Sequence, residues 1–170
     1  MGYYDLHVIY GEGFDELLDT LSRYGFSGVG VAFPETQIGR VKEASRKAKE
    51  MGLDLISRYD IIARDGDDLR RQVAKYRRRV DYLALESLPP GLIKKVNLNG
   101  VTILNVEFIP ISMAIKLKGK DKILEFNMGR FKRYLASNPS RVKRMVRSAA
   151  LYDPLDLPII VTSGARHPLE

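Results

Sequence analysis

The 170 residues contain no cysteine and no tryptophan, and histidine occurs only twice, at His7 and His167. Disulfides, thiolate metal sites and cysteine nucleophiles are thereby excluded. A multinuclear metal centre needs several imidazole and carboxylate ligands converging, and two histidines supply few of them. No stretch approaches the run of about 18 apolar residues that a membrane-spanning helix requires, and Met1-Gly2-Tyr3-Tyr4-Asp5 lacks the charged segment and apolar core of a secretory signal. The expected setting is cytoplasmic, with no membrane partner. A glycine-rich dinucleotide turn, a phosphate loop and a Gly-x-Ser-x-Gly elbow are also missing. Acidic residues are scarce in one region above all. Between Lys116 and Arg147 only Asp121 and Glu125 oppose Lys116, Lys118, Lys120, Lys122, Arg130, Lys132, Arg133, Arg141, Lys143, Arg144 and Arg147.

The formal net charge of +7 is therefore concentrated rather than spread. A second cluster, Arg70, Arg71, Lys75, Arg77, Arg78 and Arg79, falls on one short helical stretch. One-sided basic surface is the electrostatic footprint of nucleic-acid binding, because neutralising phosphates releases condensed counterions. The competing reading is a set of solvated helix faces laced with ion pairs.

What is present otherwise is regular alternation. Apolar runs predict strands at Tyr4–Ile9, Gly28–Ala32, Leu53–Ile62, Tyr82–Glu86, Val101–Val106, Ile123–Phe126 and Ile159–Thr162. Between the first four lie helical stripes: Phe14, Leu17, Leu18 and Leu21; Ile38, Val41, Ala44 and Ala48; then Leu69, Val73 and Tyr76. Gly25 and Gly52 stand just past the first two helices, as left-handed caps do. This order predicts one α/β domain over residues 1–170, a TIM-barrel-like (βα) fold with about seven parallel strands, compact or incomplete because a full eight-fold barrel takes about 250 residues.

Near the C-terminus, Asn138 is a natural N-cap and Pro139 a natural first helical residue. In the helix they start, Val142, Met145, Val146, Ala149 and Ala150 predict an inner face, while Arg141, Lys143, Arg144 and Arg147 face outward. Tyr152 fits the packed face, leaving Tyr134 as the better candidate for base stacking, with Tyr76 beside Arg77 the other.

Several residues invite a catalytic reading. Asp5-Leu6-His7 on the first strand matches part of the Asp-x-His-x-His opening of a metal-dependent phosphoesterase barrel family, but residue 9 is Ile. Strand alternation points Asp5, His7 and Ile9 to one side. Asp60, Glu86 and Glu107 lie in or at the C-terminal ends of strands, where barrel enzymes mount acids and bases. Gly28-Val29-Gly30 lies inside a strand and predicts close packing rather than a phosphate cradle. Ser163-Gly164-Ala165 predicts a tight turn with close backbone approach.

In order and spacing, Leu124-Glu125-Phe126-Asn127, Arg133, Asn138-Pro139, Arg141, Arg144 and Ile159-Ile160-Val161-Thr162-Ser163-Gly164-Ala165 resemble the ribonuclease P protein component 3 family, best over residues 100–166. That family is the archaeal and eukaryotic protein subunit of the RNA-based endoribonuclease that matures transfer RNA. The resemblance implies a barrel-like fold and a role in removing the 5′ leader from precursor tRNA. Catalysis would then belong to the ribonuclease P RNA and its Mg²⁺, with no catalytic residue, metal or cofactor in this chain. It also implies ribonuclease P protein component 2 as a partner and precursor tRNA as the substrate of the assembled enzyme. The residues expected to meet RNA are Arg130, Lys132, Arg133, Arg141, Lys143, Arg144 and Arg147, followed by Arg166, Arg77, Arg78 and Arg79. Relatives continue past the Ser-Gly-Ala strand, whereas this chain stops at Glu170, so an open barrel with an exposed sheet edge is expected. The alternative is a related phosphoesterase with a reduced metal site around Asp5, His7, Asp60 and Glu86.

Overall fold

The computed structural model describes residues 2–89, 91–152, 155 and 157–168. Seven strands alternate with helices: β1 (Tyr3–Ile9), α1 (Phe14–Arg23), β2 (Phe26–Ala32), α2 (Val41–Glu50), β3 (Asp54–Ile62), α3 (Gly66–Tyr76), β4 (Tyr82–Ser87), β5 (Ile103–Asn105), α4 (Ile111–Leu117), β6 (Ile123–Asn127), α5 (Met128–Ser137), α6 (Pro139–Tyr152) and β7 (Ile159–Thr162). All adjacent pairs are parallel, in the order β1-β2-β3-β4-β5-β6-β7. This is the barrel that strand–helix alternation predicts, because right-handed crossovers keep every helix outside a curling parallel sheet. Among the described residues no helix is long and apolar enough to cross a membrane.

Side-chain periodicity explains the packing. Phe14, Leu17, Leu18 and Leu21 bury one stripe of α1, Ala44 and Ala48 do so on α2, and Leu69 and Tyr76 on α3. Ile38 is buried too, but from a 3-10 turn over Glu35–Arg40 rather than from α2. Asp65, Asn127 and Asn138 cap α3, α5 and α6 by accepting the amide three residues on, at 2.7, 2.9 and 3.2 Å. Two helices, α4 and α5, are additions to the sequence reading. No residue of α5 is buried, and its apolar side chains Met128, Phe131 and Leu135 stay partly or fully exposed. β5 is shorter than predicted because Val106–Phe108 fold into a 3-10 turn, capped by Asn105 Oδ1 accepting from the Glu107 amide at 3.0 Å.

The expected open edge is bridged at the mouth. Val8 pairs in parallel with Ala165, Ile9 N donates to Ala165 O at 2.8 Å, and Gly164 N donates to His7 O at 2.9 Å. Gly164 adopts φ +66°, and a Cβ there would stand 2.6 Å from Asn127 Oδ1. The segment therefore ties the two sheet edges together at this end, leaving a nearly closed barrel, through the close approach expected of Ser163-Gly164-Ala165.

Candidate nucleic-acid interface

Strand alternation carries polar side chains of several strands into the barrel, and β1 adds an irregularity. Its pairing with β2 slips between Asp5 and Val8, which breaks the expected common orientation of Asp5, His7 and Ile9. Asp5 Oδ1 accepts instead from the amides of His7 at 3.1 Å and Ser163 at 3.3 Å, tying β1 to the segment after β7. The irregular backbone of Leu6 presses on β2 so closely that a Cβ on Gly30 would lie 2.5 Å from the Leu6 carbonyl oxygen. Gly30 thus serves packing, as its place inside a strand predicts.

His7 lies inside with Arg58, Asp60 and Glu125. Arg58, 1% exposed, donates to Glu125 from Nη1 at 2.9 Å and Nη2 at 2.7 Å, and from Nε to Asp60 Oδ1 at 2.6 Å. The ring of His7 reaches Glu125 Oε1 from Nδ1 at 2.8 Å and lies 3.1 Å from Asp60 Oδ2 at Nε2. Thr162 Oγ1 donates to Glu125 Oε1 at 2.6 Å. Arg58, His7, Asp60 and Glu125 so form one cluster in the barrel interior, and Asn127 Nδ2 stands 2.9 Å from His7 Nδ1 beside it. Burial and the Arg58 guanidinium oppose protonation of His7, but Asp60 and Glu125 outweigh them and hold its pKa up at about 9. Burial likewise opposes ionisation of Asp60 and Glu125, and Arg58 with His7 overcomes it. Asp60 falls to about 2 and Glu125 is held well below the usual carboxylate range. Of the four residues proposed for a metal site, His7 and Asp60 are brought together, with the Arg58 guanidinium rather than a vacant coordination position between the carboxylates of Asp60 and Glu125. Asp5 turns to the backbone, and Glu86 belongs to the next layer.

That layer forms the mouth. Glu86 lies next to the end of β4 and Glu107 follows β5, as predicted, and Arg130 of α5 reaches both. Arg130 Nε donates to Glu86 Oε1 at 2.7 Å, and its Nη1 lies 3.5 Å from Glu107 Oε2. Burial and Asp60 push the Glu86 carboxyl upward against the pull of Arg130. Glu86 Oε2, Glu107 Oε2 and Asn105 Nδ2 are buried without a hydrogen bond. Arg141 Nη1 donates to Tyr134 Oη at 2.7 Å, its guanidinium lies 5.0 Å from the Tyr134 ring centre, and its Nε is 3.5 Å from Glu107 Oε1. Tyr134 therefore presents a ring already engaged by arginine, while Tyr76 is buried and stacked on Tyr59 at 3.8 Å.

Over this layer Arg130, Arg133 and Arg141 are joined by Arg64 around a cavity of about 580 Å³. Arg141, Arg144 and Arg147 line a neighbouring one of about 540 Å³ with Lys94. Lys132 and Lys143 are exposed on the same helices but line neither. Arg166 is exposed beyond the Val8–Ala165 bridge, on the β1 side of the mouth. Arg77, Arg78 and Arg79 are exposed between α3 and β4, at the opposite rim, apart from the mouth arginines. On α6 the buried positions are Met145 and Tyr152, whereas Val146 is 50% exposed and Ala150 is also exposed, so the inner face is narrower than the periodicity predicts. The C-terminal end of the helix is tied down by its Tyr152 hydroxyl, which donates to the carbonyl of Ile109, after β5.

Sequence reasoning did not single out Arg58, Arg64 or Lys94. The first had a signal, a lone cation inside the apolar β3, mirrored by the lone anion Glu125 in β6.

No family model matches the sequence, and no curated protein matches it. Among solved structures the chain is similar to a crystal structure of an amidohydrolase, with a TM-score of 0.61 and 11% identity over 98% of this chain. The chain spans 65% of the length of that protein. At this identity the likeness shows the barrel fold alone.

Proposed function

We propose that this chain is an RNA-binding protein subunit of a ribonuclease P, a barrel that supports a catalytic RNA in removing the 5′ leader from precursor tRNA. The observation that carries the reading is the gathering of Arg64, Arg130, Arg133, Arg141, Arg144 and Arg147 around two adjoining cavities at the mouth. Arg133, Arg144 and Arg147 have no ion-pair partner among the described residues, so their charge is available to phosphates. The family resemblance over residues 100–166 supplies the particular assembly, with component 2 as the protein partner. In this reading the protein lowers the repulsion between packed RNA strands. The Mg²⁺ ions that activate the attacking water are held by the RNA, and this chain breaks no bond itself.

Reconstitution tests it. The chain, component 2 and a ribonuclease P RNA should cleave precursor tRNA at Mg²⁺ levels where the same mixture without the chain is slow. Equal rates with and without the chain, or metal-dependent hydrolysis of a generic phosphoester by the chain alone, would refute the reading.

A further inference from the structure

The two cavities of the mouth do not end there. Arg141 lines both, and Lys94, between β4 and β5, lines the second together with a third cavity of about 260 Å³ that also meets Lys116, Lys120 and Lys122. The three are thus linked in series by shared side chains. They run from the mouth, across α6, down the flank between the β4–β5 connection and α4. They end at the rim where α4 returns to β6, the rim that also carries Arg77, Arg78 and Arg79 before β4.

Basic residues predominate along this path. Ten different lysines and arginines line the three cavities, and Glu107 is the one acidic residue among their lining. A cavity on the other flank, between β3 and α3, is mixed: Glu35, Asp60 and Asp68 stand there against Arg71 and Lys75. Lys122 has a structural task, donating to the carbonyls of Leu98 and Val101. Lys94, Lys116 and Lys120 are exposed and have no ion-pair partner among the described residues.

We infer that the RNA surface of this protein is a track, which continues from the arginines of α5 and α6 over Lys94 to Lys116 and Lys120 at the opposite rim of the barrel. The inference rests on the RNA-binding reading and extends it to a flank that the helix pattern alone does not mark. Its ligand is an RNA segment long enough to follow the barrel from end to end, recognised through its phosphates and without base readout. An acidic protein surface is the other class of partner that lysines would attract, and the test separates the two.

The measurement is the salt dependence of binding to a ribonuclease P RNA by fluorescence anisotropy, for three variants with melting curves recorded alongside. Lys94→Ala/Lys116→Ala/Lys120→Ala should melt like wild type. It should weaken binding roughly tenfold to a hundredfold at 0.15 M salt and make the log–log slope shallower by about two, since each lost phosphate contact removes roughly 0.7 to 0.9. Arg144→Ala/Arg147→Ala should do the same in kind, while Lys42→Ala/Lys49→Ala on α2 should change nothing. If the triple alanine variant loses stability, glutamine at the same three positions keeps the stem packing and removes the charge. An unchanged slope for the lysine variant beside a weakened Arg144/Arg147 variant overturns the track and leaves the RNA-binding reading standing. That holds even if the lysine variant loses a protein partner. No effect of either variant overturns both.

Discussion

Arginine does opposite work in the interior of this barrel and along its flank. Arg58 is buried, shared between two carboxylates and fixed by four contacts within 3.3 Å. Arg144 and Arg147 are exposed with no ion-pair partner among the described residues. A third environment lies between these extremes over the stretch from α1 to α3, where Arg23, Arg40, Arg46, Lys47, Arg70 and Lys75 each pair with a nearby acid. Exposed pairs of that kind are worth little to stability, roughly 0 to 1 kcal/mol each, but they cancel the field that a polyanion would feel. Ion-paired helix faces thus describe the stretch from α1 to α3, whereas on α6 only Arg141 reaches an acid, Glu107, and Arg144 and Arg147 have no such partner among the described residues. Net charge alone does not separate the two.

The comparison can be broken most forcefully from inside. Glu125→Ala would leave Arg58 and His7 facing only Asp60, and losing one partner of a buried ion pair costs about 3 to 5 kcal/mol. Chemical denaturation should show that loss as a fall in the midpoint. Replacing the ion pair with Arg58→Met/Glu125→Leu should recover part of it, because apolar packing removes the desolvation cost. A midpoint within error of wild type for Glu125→Ala would show that the interior cluster stabilises nothing.

Solution pH should reach the interior and spare the track. His7 has its folded pKa raised from 6.5 to about 9, so its contribution is fully present below pH 6.5 and is lost as pH rises through 9. The total is on the order of 3 kcal/mol, one pKa unit being about 1.4. Asp60, lowered from 3.8 to about 2, acts at the other end: its contribution is present above pH 3.8 and lost as pH falls through 2. Urea unfolding at pH 6, 8 and 10 should show the alkaline loss in the wild type and less of it in His7→Gln. A flat profile would mean that His7 is neutral in the fold.

On the track the expected order reverses. Arg144→Ala/Arg147→Ala should change stability by no more than about 0.5 kcal/mol, as surface substitutions do, while weakening RNA binding. A collapse of the melting curve would place these residues in the packing instead.

How much of this was readable beforehand follows the physics of each region. Apolar runs announced the strands and the first three stripes announced α1 to α3, because those side chains pack against one continuous core. The slip in β1 between Asp5 and Val8 left no trace, since strict alternation is the assumption by which a strand is read. The arginines of α6 were visible as a cluster, but their continuation to Lys94 and Lys116 depends on how the β4–β5 connection packs beside α4, which no local pattern encodes. Arg58 and Glu125 lie 67 positions apart, so their pairing needed the barrel to close. A buried charge within an apolar strand does predict that some opposite charge must meet it.

The most direct test of the central claim is the Mg²⁺ midpoint for precursor tRNA cleavage by a ribonuclease P RNA assembled with component 2. Adding the wild-type chain should move that midpoint to lower Mg²⁺, and adding the Arg144→Ala/Arg147→Ala chain should return most of the shift at unchanged fold stability. A midpoint that is the same with wild-type chain, variant chain and no chain at all would contradict the account.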